Sequence, residues 1–126
     1  MEFINNAKDL EKYTLTHTRK FPKRYTFTLT NEIVGYSREI YNIVSSANNY
    51  PKTIEDYELR RRKFNRVKEL LGNMSNQLQI AEEMFILKLS VLKEWAALIC
   101  KEEKLINGIL SSDRSAIKEL QGTESK

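Results

Sequence analysis

The run TIEDYELRRRKFNRVKELLGNMSNQLQIAEEMF, residues 53–85, decides the fold. Within it Phe64, Val67, Leu71, Met74, Leu78, Ala81 and Phe85 follow one another in steps of three and four without a break. That spacing is the heptad seam of a long helix buried along one side. Thr53 is placed to cap the start and forms an approximate capping box with Asp56, while Glu55, Asp56 and Glu58 put negative charge on the positive end of the helix dipole. Gly72 interrupts the run at a cost of about 1 kcal/mol relative to alanine, but the pattern continues through it, so one helix is predicted.

Working outward, residues 3–19 predict a first and weaker helix, with Phe3, Ala7, Leu10, Tyr13 and His17 on one face. The run Thr14-Leu15-Thr16-His17-Thr18 has poor helix propensity and predicts fraying. Pro22 suits the first turn of a second helix, where its missing N–H costs nothing. This helix is expected to run to Ala47, with Asn48-Asn49-Tyr50-Pro51 as the stop. A fourth helix follows Ser90 with the seam Leu92, Ala96, Ile99, Glu103, Ile106 and Leu110, flanked by Trp95 and Ile109. Ser111-Ser112-Asp113 is read as its end, with a short helical turn from Ala116 to Leu120 beyond.

Four amphipathic segments joined by short connections predict an all-α protein, an antiparallel up-down four-helix bundle. At 126 residues the chain is long enough for one domain, residues 1–120, with 121–126 read as a polar, flexible tail. No stretch approaches the roughly 18 apolar residues of a membrane span and the N-terminus has no apolar leader, so a cytoplasmic protein with no membrane partner is expected. The lone Cys100 gives no disulfide framework and is read as a small packing residue.

The charge is local. Arg60 to Lys68 holds six of the 21 Lys and Arg residues and no acid; the other 15 basic residues face 17 acidic ones, so the formal +4 belongs to this stretch. Projected on the helix, Arg60 and Lys63 fall inside or beside the apolar stripe, where they must snorkel to the bundle end or pair inward with an acid. Arg61, Arg62, Arg66 and Lys68 lie outside it, an exposed ladder. Three guanidinium groups and an ammonium match phosphate oxygens, and each contact releases counterions; the same ladder also reads as a solvated helix face. A second basic run, Arg19, Lys20, Lys23 and Arg24, interleaves with Phe21 and Tyr25 at the corner before the second helix, where aromatic rings beside cations permit base stacking.

On the second helix, Tyr25, Leu29, Ile33, Tyr36, Ile40, Ile43 and Ala47 form the core stripe. Phe27, Val34 and Tyr41, spaced by seven, fall on the opposite side. They read either as partly exposed surface residues or as a ridge packing on another copy of the chain, and the ridge predicts a homo-oligomer. Repetition of the ladder in such an assembly multiplies its phosphate contacts.

The sequence carries no recognisable catalytic motif. With one histidine, His17, the chain has neither a paired-His zinc spacing nor the carboxylate-x-x-His pairs of a di-iron bundle, and it has no glycine-rich phosphate loop and no Gly-x-Ser-x-Gly elbow. No catalytic residue, metal site or cofactor is predicted, and the chain is expected not to be an enzyme. Glu103, at a seam position, must find a partner, titrate toward neutral or sit at a wet edge.

The order of several short motifs resembles a bacterial family. Phe21-Pro22-Lys23 opens a helix ending in Ala47-Asn48; an Arg-rich helix follows with Ala81-Glu82 near its end; then come Leu89-Ser90, Lys93, Trp95 and a closing Glu102-x-x-Leu105-Ile106-x-Gly108. Over residues 13 to 114 the chain resembles the four-helix-bundle proteins that include the accessory variability determinants of diversity-generating retroelements and the proteins encoded in ribosomal RNA intervening sequences. The resemblance implies a non-catalytic homopentamer that binds RNA or DNA through a basic surface and partners a reverse transcriptase. Carried onto this chain, it implies contacts by Arg60, Arg61, Arg62, Arg66 and Lys68, with Lys23 and Arg24 at the corner. Characterised accessory determinants are more basic than +4. A second reading of the same residues is an oligomeric scaffold or regulatory protein that binds an acidic protein partner, with no role for nucleic acid.

Overall fold

The computed structural model describes residues 1–47 and 49–124 and is helical throughout its ordered elements, with no strand among the described residues. Its four long helices are α1 (Glu2–Thr18), α2 (Asn31–Ser46), α3 (Ile54–Met84) and α4 (Leu89–Glu124). Each packs on its neighbour in the chain, and α1 also packs on α4, which closes a ring of four around one apolar core. This arrangement is consistent with an up-down bundle.

The Thr53 capping box is formed: Asp56 N donates to Thr53 Oγ1 at 3.1 Å, and Asp56 Oδ2 accepts from Thr53 N at 3.2 Å and from Lys52 N at 3.0 Å. These backbone bonds hold the Asp56 carboxyl below its ordinary pKa. The seam of α3 is buried from Phe64 to Ala81, joined by Leu70, with Phe85 half-buried at the end. The threonine-rich end of α1 is helical, and Thr14, Thr16 and Thr18 each donate their hydroxyl to the carbonyl four residues back, at 2.7, 2.9 and 2.7 Å, a bond compatible with the helical backbone. Trp95 Nε1 then donates to Thr14 Oγ1 at 3.0 Å, so this stretch is tied to α4 across the core.

Several expectations require correction. Between α1 and α2 the chain forms a 3₁₀ turn (Lys23–Tyr25) and a π-helical turn (Thr26–Thr30) in place of a continuous α-helix from Pro22. The buried face of α2 consists of Ile33, Ser37, Ile40 and Val44, with Leu29 of the π-helical turn just before it and Ala47 just beyond it, rotated by about 40° from the predicted stripe. Tyr36 and Ile43 move to its edge, and Tyr41 swings far enough to pack against the core.

On α4 the buried positions are Trp95, Ile99, Glu102, Ile106, Leu110 and Asp113. Glu103 and Ala96 are exposed. Trp95 carries far more apolar surface than Ala96, and turning the helix to bury it brings Glu102 inward. The helix does not stop at Ser112-Asp113 but continues to Glu124, so residues 121–124 of the segment read as a tail are helical; Ser125 and Lys126 lie outside the described residues, as does Asn48 of the predicted stop. Cys100 is exposed and does not pack in the core.

Candidate nucleic-acid interface

The six cations of the α3 stretch separate into three environments. Arg60 turns inward: its Nε donates to Asp113 Oδ2 at 2.8 Å and its Nη2 to Asp113 Oδ1, a bidentate fork between α3 and α4. Lys63, half-buried, donates to Ser46 Oγ at 3.3 Å at the end of α2. Both therefore serve the bundle, and Asp113 is the acid that the stripe position of Arg60 required.

The four ladder residues are all exposed but do not share one face. Arg66 reaches toward α2, where its Nε lies 3.4 Å from Glu39 Oε1 and its Nη1 3.6 Å from Glu69 Oε2. Arg62, one turn earlier, lies on the same side of the helix. Arg61 and Lys68 are about 120° away and line a groove between α3 and the C-terminal half of α4. Arg61 Nη2 lies 2.7 Å from Glu58 Oε2. Arg62 and Lys68 make no ion pair among the described residues.

The groove, of about 480 Å³, has a second cationic wall that the sequence reading missed: Arg114 and Lys118 of α4, opposite Arg61 and Lys68, with Asn65 and Asn107 between them. Neither Arg114 nor Lys118 is in an ion pair among the described residues. Of the two carboxylates on its lining, Asp113 is held by Arg60 and Glu58 by Arg61. Two helices thus present four cations to one channel, three of them in no ion pair among the described residues. The i, i+4 spacing of Arg114 and Lys118 was the available signal.

The corner run lies at the other end of the bundle. Arg61 and Met84 are 23 residues apart on α3, about 35 Å, and it is around Phe85 that the corner packs. Phe21 meets Phe85 edge-on with centroids 4.8 Å apart, and Tyr25 stacks on Phe85 at 5.4 Å. Lys20, Lys23 and Arg24 are exposed, and Arg24 lies over the Tyr25 ring at 5.0 Å. Phe21 is buried and Tyr25 is already stacked, so the two rings expected to receive bases are occupied by the core. Past them, Met84, Ile86 and Leu89 form a strongly exposed apolar tip, with Ile86 98% exposed.

Of the ridge residues on the second helical segment, Phe27 is 86% exposed, Val34 is half-buried away from the core cluster, and Tyr41 is half-buried against it. His17 is half-buried, its ring tilted against that of Tyr13 with centroids 4.1 Å apart. Among the described residues no three His, Cys, Asp or Glu side chains form a group that could hold a metal ion, and no helix is long and apolar enough to cross a membrane. No family model, curated protein or solved structure matches the chain.

Proposed function

We propose that this protein is a non-enzymatic, cytoplasmic nucleic-acid-binding accessory factor of the diversity-generating retroelement type, built on an antiparallel up-down four-helix bundle. It holds RNA or DNA in the α3–α4 groove, works as a homo-oligomer of pentameric type, and partners a reverse transcriptase. The observation that carries the reading is the two-walled groove, in which Lys68, Arg114 and Lys118 make no ion pair among the described residues and remain available to phosphates. Arg61 contributes after exchanging Glu58 for a phosphate oxygen. Arg62, Arg66 and the corner residues Lys20, Lys23 and Arg24 lie on other surfaces and add long-range attraction. The family resemblance, carried by the motifs of residues 13 to 114, supplies the retroelement context.

The test is binding of a structured RNA across a salt series by wild type and by the triple variant Lys68→Gln, Arg114→Gln, Lys118→Gln. Loss of three phosphate contacts lowers the slope of log affinity against log salt by about 2. A slope unchanged by the triple variant would sink the groove as the site. Should binding show no salt dependence at all while a partner is still captured from nuclease-treated lysate, the acidic-protein scaffold is the correct reading.

Self-association is tested separately by light scattering. Phe27→Asp places a charge on a residue that contributes little to the core, so the variant should keep its helical circular dichroism and lose the mass of the assembly. An unchanged mass would move the interface elsewhere, and a monomeric wild type would remove the oligomer from the proposal.

A further inference from the structure

At its outer end the cationic groove meets a second concavity. Tyr57, near the start of α3, lines both: on one side the groove with Arg61, Lys68, Arg114 and Lys118, on the other a cleft of about 190 Å³ at the bundle end. The far side of this cleft carries Tyr50, 82% exposed, and its floor is apolar, with Phe3, Ile109 and Ala116. Ser112 and Asp113 supply polar atoms at its edge. A cationic channel and an aromatic, apolar-floored cleft therefore share one wall.

We infer that the cleft between Tyr50 and Tyr57 receives an unpaired base of a strand whose phosphates lie in the α3–α4 groove, so that the protein selects single-stranded over duplex nucleic acid. The inference rests on the proposed nucleic-acid reading of the groove and adds the form of ligand. Cations arranged along a channel attract any polyanion and do not by themselves favour a single strand. An aromatic face beside them distinguishes the ligands, because a base can stack on tyrosine only when it is out of a duplex. Every base has a stacking face, so the cleft is tolerant of sequence. Tyr57 is already oriented, with the Arg60 guanidinium 5.8 Å from its ring centroid and that guanidinium fixed by Asp113. Tyr50, on the 47–53 connection, is the freer of the two rings. This end of the bundle therefore takes the stacking role that the sequence assigned to Phe21 and Tyr25.

Fluorescence anisotropy at a fixed salt concentration, with a 12-nucleotide single-stranded RNA and the corresponding 12-base-pair duplex as probes, tests the inference. Wild type should bind the single strand more tightly. Tyr50→Ala with Tyr57→Leu should weaken single-strand binding by at least about fivefold, weaken duplex binding by much less, and leave the salt slope of single-strand binding intact, since stacking releases no counterions. Tyr50→Phe with Tyr57→Phe should keep the wild-type affinity, which separates stacking from a hydroxyl contact and from loss of fold. Equal affinity for the two probes, or tyrosine variants that bind the single strand as wild type does, would overturn the inference while salt-dependent binding left the groove reading standing. Absence of any salt-dependent binding would overturn both.

Discussion

Arg60→Met should destabilise the protein by about 3–5 kcal/mol, the usual result of removing one partner of a buried ion pair. Methionine keeps an unbranched apolar stem but removes the fork that meets both oxygens of Asp113. The Asp113 side chain is only 6% exposed and that of Arg60 18%, so water replaces the lost bonds poorly. The cost arises from the carboxylate left behind more than from attraction forgone. Arg60→Lys retains charge but not the bidentate fork and should fall between wild type and Arg60→Met. The double variant Arg60→Met with Asp113→Leu removes both charges and should recover most of the loss. Urea denaturation of the four proteins measures the cycle. A loss below about 1 kcal/mol for Arg60→Met would mean that the pair behaves as an exposed one.

The second large effect is a fall in stability with rising pH, centred on Glu102. This side chain is fully buried between α1 and α4. Asn6 Nδ2 donates to its Oε1 at 3.1 Å and also to the Leu98 carbonyl at 3.0 Å, whereas Oε2 has no partner among the described residues. Burial raises the Glu102 pKa from 4.5 to about 7, against the opposing pull of the Asn6 bond and the Lys101 charge. In the unfolded chain the group ionises near its ordinary value, so between pH 4.5 and 7 the folded state holds a proton that the unfolded state has released. Stability therefore falls with increasing pH across that window and levels off above it. The drop is about 3 kcal/mol, at 1.36 kcal/mol per pH unit.

Glu102→Gln cannot ionise and should lack this slope, so the difference between the two stability curves isolates the group. Parallel curves from pH 4 to 8 would show that Glu102 ionises in the fold as freely as in water. Asp56 acts in the opposite sense: its lowered pKa makes its contribution present above its ordinary value of 3.8 and lost on acidification.

What the sequence made legible was the fold class and the phase of α3, because a seam from Phe64 to Ala81 leaves only one face for burial. The phase of α4 was not, since spacing alone treats Trp95 and Ala96 as equal apolar positions. Surface area decided between them, and the buried carboxylate became Glu102 in place of Glu103. Nor did the sequence announce the π-helical turn at Thr26–Thr30, which accompanies the rotation of α2 and brings Tyr41 to the core.

Reading Ser111-Ser112-Asp113 as a stop truncated α4 before Arg114 and Lys118, and with them half of the candidate groove. Asp113 reads as a turn residue when Arg60 is out of view, because the partners are 53 residues apart. The ladder was visible as charge, but its division between the α2 side and the α4 side depended on which neighbours the helix would have.

The unlike tips of the bundle make the molecule a vector. The cationic groove and the Tyr50–Tyr57 cleft stand near one extremity, and the bare side chains of Met84, Ile86 and Leu89 at the other. In a ring of copies joined side by side about a common axis, every groove would crown one rim and every apolar tip the opposite rim. Cargo on the first rim and a protein docked on the second would then be held at a separation set by the length of the helices, and either could be exchanged without disturbing the other.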